Sequence, residues 1–124
     1  MKKILLVAVM AMIMQGLPAQ HRFVGIWEGK VHAGVELRVV FTIKQDQSQK
    51  LTAIMDLPDQ GITGIVASNL VINDDSIHIS IKEFSGTYSG KQSDSATING
   101  IWKQGIGTAL QLKKVEKVQS IHRA

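Results

Sequence analysis

Three sets of side chains in this chain could carry chemistry: a serine lying between glycines, four histidines, and two aspartates around a proline. A hydrolytic nucleophile needs Gly-x-Ser-x-Gly at a sharp strand-to-helix turn that holds the hydroxyl out. Gly86-Thr87-Tyr88-Ser89-Gly90 places its serine one position late, inside a strand pattern with no helix after it. The same stretch fails as a phosphate loop, because Gly86 and Gly90-Lys91 are too close and Gln92 stands where a hydroxyl residue is required. His21, His32, His78 and His122 share no spacing that would put two of them on one face of one element, and there is no cysteine to complete a metal site. They read as surface histidines. Asp56 and Asp59 bracket Pro58, and a carboxylate pair can exchange protons with a substrate. Aspartates in such a turn also cap local backbone, so the pair is either structural or a ligand contact at the mouth of the fold. No catalytic residue, cofactor site or metal site follows from these residues.

The elements that must position them repeat with period two. Val35, Leu37, Val39, Phe41 and Ile43 alternate with Glu36, Arg38, Val40, Thr42 and Lys44, the pattern of a strand with one face in a core. Similar alternation covers Leu51 to Asp56, Ile77 to Lys82, Ala96 to Lys103 and Leu110 to Lys113. Further strands are expected at Phe23 to His32 and Thr87 to Lys91, with a weaker one at Ala67 to Ile72, about eight in all. Short turn-forming clusters separate them, including Ala33-Gly34, Pro58-Asp59-Gln60-Gly61 and Asn73-Asp74-Asp75. Short connections favour antiparallel neighbours, since a parallel return takes a dozen or more residues. The expected fold is an all-β antiparallel meander of about eight strands in a small closed or nearly closed β-barrel. From Lys114 the tail reads as a short helix or a frayed linker.

Gly25-Ile26-Trp27, Gly86-Thr87-Tyr88 and Gly100-Ile101-Trp102 each place a large aromatic two residues after a glycine. A glycine there lets the strand bend or a neighbour approach closely, and the aromatic fills the released space. The echo resembles the Gly-x-Trp element of lipocalins and related calycin barrels, which implies that Trp27 closes one end. An eight-stranded barrel is just wide enough to be filled by side chains or to hold one small ligand. The inward set is rich in Ile, Leu, Val and Met with Trp27, Phe41 and Trp102, so a filled interior is the expectation and a ligand cavity the alternative.

Met1-Lys2-Lys3, the apolar run Ile4 to Met14 and the small residue Ala19 have the layout of a signal peptide over residues 1–19. The run of eleven residues spans only about 16 Å as a helix at 1.5 Å per residue, against a bilayer core of about 30 Å. No stable membrane span is expected in the mature form, and the protein is expected in the periplasm or outside the cell. Processing lowers the formal net charge from +4 by the two charges of Lys2 and Lys3. The remaining basic residues are scattered and not interleaved with aromatics, which argues against nucleic acid as a partner.

Trp27-Glu28-Gly29-Lys30, Glu36 to Phe41, Met55-Asp56-Leu57-Pro58-Asp59-Gln60-Gly61, Ile98 to Gly105 and Leu110 to Lys114 carry a broader likeness. Together they resemble the amino-terminal β domain of secreted bacterial α/β-hydrolases, from Phe23 to about Lys117. Nothing here corresponds to the hydrolase domain that follows in that family, so none of its catalytic residues carries over. The resemblance implies an exported, non-catalytic accessory module with the β domain at residues 20–114 and a tail at 115–124. Its expected partner is a secreted hydrolase or, in the carrier alternative, a small apolar ligand. A fragment of a secreted hydrolase is the third reading. Asp56, Asp59, Gln60, Trp27 and Trp102 are the candidate ligand or partner contacts.

Overall fold

In the computed structural model the alternating segments form nine strands: β1 (Gly25–Ala33), β2 (Val35–Gln45), β3 (Leu51–Leu57), β4 (Ile62–Val66), β5 (Asn69–Asn73), β6 (Ser76–Ile81), β7 (Gly86–Asp94), β8 (Thr97–Gln104) and β9 (Ile106–Val115). The structure describes residues 22–33 and 35–116, without the side chains of 33 and 35. Residues 1–19, where a signal peptide is expected, together with His21 and most of the tail, with His122, lie outside the described residues. Among the described residues no helix is long and apolar enough to cross a membrane.

Every pairing is antiparallel, in the order β4-β3-β2-β1-β9-β8-β7-β6-β5, and the sheet curls strongly into a half-barrel. Because β1 pairs with β9, counting directions around the sheet leaves β4 and β5 running the same way. They are two halves of one interrupted strand. The exchange of partner takes two residues: the Ala67 amide donates to the Ala53 carbonyl at 2.9 Å and the Ser68 amide to the Ser80 carbonyl at 2.9 Å. The first half thus lies on β3 and the second on β6, which brings the two edges of the sheet together at this point.

The expected strand at Ala67 to Ile72 is β5, beginning two residues later, whereas β4 has no counterpart in the sequence pattern. A register shift between Met55 and Leu57 explains the omission. It makes Ile62 and Ile65, three apart, the more buried positions of β4, so period two is lost there. Lys114 and Val115 also extend β9 instead of starting a helix or linker, since Val115 pairs with Ile26 and Lys114 with Trp27. Lys114 Nζ lies 5.5 Å from the centre of the Trp27 ring, a cation–π contact at the seam.

The core is the inner face of the curl. Phe23, Trp27, Phe41, Ile43, Ile79, Tyr88, Ile98 and Leu110 are sealed from solvent, and the Trp27 Nε1 donates to the Phe23 carbonyl at 2.9 Å. Phe41 on β2 and Tyr88 on β7 meet across the interior with ring centres 5.7 Å apart. The Tyr88 hydroxyl donates to the Leu110 carbonyl at 2.8 Å, and burial pushes that phenol well above its ordinary pKa. The glycine–aromatic echo works between strands. A Cβ on Gly86 would strike the Trp102 ring, and one on Gly100 would strike Tyr88. Tyr88 and Trp102 face each other in register, so each aromatic lies over a glycine of the other's strand.

Val40 departs from the expected solvent-facing set, being fully buried on the outer face. Its register partners are Glu28 and Asp56, and half-buried Arg38 lies 3.4 Å from Glu28 on the same side. At the other extreme, Gln92 faces inward beside Ile98 with 8% exposure, and neither amide atom has a partner.

Two predictions follow from these polar groups. An unpaired buried amide costs roughly 1–3 kcal/mol, so Gln92→Met is expected to raise stability by about 1 kcal/mol in urea melts; a loss would contradict this assignment. Asp46 accepts from the Ser48 hydroxyl and the Ser48 and Lys50 amides, and Asp94 accepts from the Ala96 amide. The Ser48 hydroxyl foremost, then the Lys50 amide, hold Asp46 below the ordinary aspartate value of 3.8, and the Ala96 amide does the same for Asp94. The folded state therefore releases these protons more readily than the unfolded chain. Their contribution is present above the unfolded value and disappears as pH falls through the lower folded values. The D46N/D94N variant should lose less stability than the native chain between about pH 5 and pH 3; parallel losses would refute it.

Candidate functional site

The half-barrel is closed at one end and open at the other. Phe23 and Trp27 seal the closed end, and the Phe41–Tyr88 contact fills the middle. Beyond them, at the end holding the β1–β2 and β8–β9 turns, lies a cavity of about 570 Å³. Its walls are apolar: Val31, Leu37 and Val39 from the first hairpin, Met55 and Leu57 from β3, Phe84 from the 3-10 turn Lys82–Phe84, and Trp102 and Ile106 from the last hairpin. Gln60, Gln104 and Thr108 supply the polar groups. The interior is thus unfilled at this end, where the amount of apolar side chain suggested a filled barrel. Gly86, Gly90 and Gly100 occupy inward positions and contribute no side chain, and Trp102 and Tyr88 spread over them against the wall.

Register fixes the rim. Moving outward on the inner face, one row is Ile79, Tyr88, Trp102 and Thr108, and the next is Ile81, Gly86, Gln104 and Ile106. Ile106 stands at the lip, 83% exposed. The opposite lip is the 3-10 turn Pro58–Gln60, where Pro58 presets φ and Gly61 ends the turn in the left-handed region at φ 68°.

The candidate contacts divide between this cavity and the scaffold. Trp102 and Gln60 line the cavity. Trp27 is fully buried, its ring centre 6.5 Å from that of Phe23. Both aspartates bond to backbone. The Asp59 carboxylate accepts from the Arg38 amide at 3.0 Å, beyond the last β2–β3 pair at Val40 and Asp56. It takes the place of a strand carbonyl and ties the lip to β2. The Asp56 carboxylate accepts from the Gly64 amide at 2.7 Å and holds the irregular start of β4, where Gly64 has φ 74°. Between them these bonds support the lip on which Gln60 sits.

Strand register also brings together two residues that the sequence kept apart. His78 on β6 and Ser89 on β7 are partners, with Nδ1 and Oγ 2.7 Å apart. That is a nucleophile–base distance, and the pair lies along a shallow outer groove with Val71 and Ile101. No carboxylate bonds to His78 among the described residues, and the neighbouring backbone amides belong to the sheet ladder. His32 lies 3.7 Å from Glu36 on the exposed first hairpin. Leu37, Phe84, Gln104, Ile106 and Thr108 were not singled out from sequence as site residues. Leu37 and Gln104 carried a signal, Leu37 as a member of the inward alternating set and Gln104 by following inward Trp102 at period two.

No family model, curated protein or solved structure matches this chain.

Removal of the Asp59 carboxylate should free the lip without disrupting the core. Asp59→Ala is expected to cost about 1 kcal/mol and to speed hydrogen exchange at the Arg38 amide selectively. Unchanged protection at Arg38 would show that the bond does not hold the turn.

Proposed function

We propose that this protein is an exported, non-catalytic β-barrel module that binds a small, mainly apolar ligand in its half-open interior. The observation carrying the reading is the 570 Å³ cavity behind a sealed floor, with apolar walls and polar groups limited to two amides and one hydroxyl. Ligand sites have this character: concave, about 300–1,000 Å³, largely preformed, and lined by apolar and aromatic side chains with a few placed polar groups. Burial of apolar surface supplies roughly 25 cal/mol per Å², and the preformed walls limit the ordering cost that binding must offset.

The accessory role implied by the hydrolase resemblance fits the same place. The stretch that carries most of that likeness, Met55 to Gly61, forms the cavity wall and lip through Met55, Leu57 and Gln60. A module that holds an apolar molecule beside a secreted hydrolase combines the two readings.

The test is titration of the mature protein with N-phenyl-1-naphthylamine, an uncharged apolar dye that brightens when sheltered from water. Saturable one-to-one binding that is displaced by lipid extract is expected. Thr108→Phe, which places a ring in the cavity, should weaken binding at least about tenfold, consistent with the importance of shape in such pockets, while thermal melting stays level or rises. Non-saturable dye uptake, or equal binding by Thr108→Phe, would count against the proposal.

A further inference from the structure

One polar side chain at the rim has its orientation set by the protein. Gln104 follows Trp102 by two residues on β8 and therefore faces the same inner side. The Trp102 Nε1 donates to the Gln104 Oε1 at 3.3 Å. An indole nitrogen only donates, so the amide oxygen must be the atom that meets it, and the amide nitrogen keeps both its hydrogens for another acceptor. That nitrogen has no hydrogen-bond partner among the described residues. The exposed Gln104 thus turns an amide donor to the rim of the apolar cavity.

Charge is excluded from the same surface. None of the described residues lining the cavity is ionisable. Of the charged groups near this end, Lys30 lies 3.7 Å from Glu36 and Arg38 lies 3.4 Å from Glu28, while Lys82 and Glu83, of opposite sign, stand exposed beside Phe84 on the 3-10 turn. A carboxylate or ammonium group drawn below the rim, against this apolar lining, would lose water without gaining a counter-ion from it, which costs far more than burying a hydrogen-bonded neutral group. A neutral carbonyl meets the Gln104 donor without that penalty.

Resting on the binding reading above, we infer that the ligand is an uncharged single-chain amphiphile whose polar end is a carbonyl acceptor, an ester or a carboxamide. Its carbonyl oxygen accepts from the Gln104 amide at the rim, and its alkyl chain runs past Trp102 and Met55 towards the floor. At about 30 Å³ for each water-sized group, the 570 Å³ cavity holds on the order of 15–20 non-hydrogen atoms, so a single medium-length chain fits and a two-chain lipid does not.

The experiment uses one chain length with different ends. Decanamide, methyl decanoate, decanoate, decylammonium and decane compete against the bound dye on the mature protein near pH 8, with native mass spectrometry as the second readout. The two carbonyl compounds are expected to bind at least about tenfold more tightly than decanoate and decylammonium. Gln104→Leu should bring them down to the level at which the same variant binds decane. Gln104→Lys should turn the preference towards decanoate. Decanoate matching or exceeding decanamide on the native protein would overturn the inference, as would undiminished decanamide binding by Gln104→Leu. Failure of every compound, decane and dye included, would instead remove the binding reading itself and this inference with it.

Discussion

Pairing of the first strand with the last is the constraint on which the rest of the structure depends. An open meander of this length would expose edges and leave its inner face half covered. The β1–β9 ladder, Ile26 to Glu28 against Val115 to Lys113, folds the sheet onto itself and turns the inner face into a core. It also dictates what happens elsewhere. With β1 and β9 antiparallel, the intervening strands cannot all reverse, and one stretch of chain must run straight on from one partner to another. Ala67 and Ser68 are where this occurs. Closing the sheet on one side therefore requires the interruption on the other.

Within the curl, volume is distributed unevenly along the axis, and this unevenness makes a site possible. Phe23 and Trp27 lie at one end, and Phe41 and Tyr88 span the middle. Towards the other end inward positions pass to Gly86, Thr108 and residues that lean against the walls. The packing requirement is met where aromatics meet across the interior and where an aromatic covers a glycine of the neighbouring strand, and it is relaxed at the open end. Stability and capacity thus occupy different levels of one barrel. The bonds from Asp56 and Asp59 hold the irregular backbone at the open level, where regular ladder pairing runs out.

The fold was legible wherever period two held. Val39, Phe41, Ile43, Ile77, Ile79, Ile81, Ile98 and Trp102 all face the core as their alternation implied. It was illegible at β4, where a register shift puts three residues between like-facing positions, and at Val40, whose outer face is covered by charged side chains from neighbouring strands. The cavity was harder to read than the fold. Composition reports how much apolar side chain points inward but not at which height along the axis it lies. The approach of Ser89 to His78 depends on strand register, which spacing within either strand cannot disclose. The aspartates around Pro58 were open to two readings until their partners, both backbone amides, could be seen.

The interrupted strand has a consequence for how the molecule behaves in company. A long, straight, unpaired edge is a template on which another chain can add strand after strand. Here the unpaired edge is divided between two pieces of five residues each, Ile62–Val66 and Asn69–Asn73. The first begins at an irregular pairing, and the two turn to different neighbours at Ala67 and Ser68. A visiting strand finds no continuous run of free donors and acceptors, because continuing along one piece would carry it into the other's partner. With no disulfide or covering helix among the described residues, the hand-over from β3 to β6 is what keeps this edge from being one continuous template.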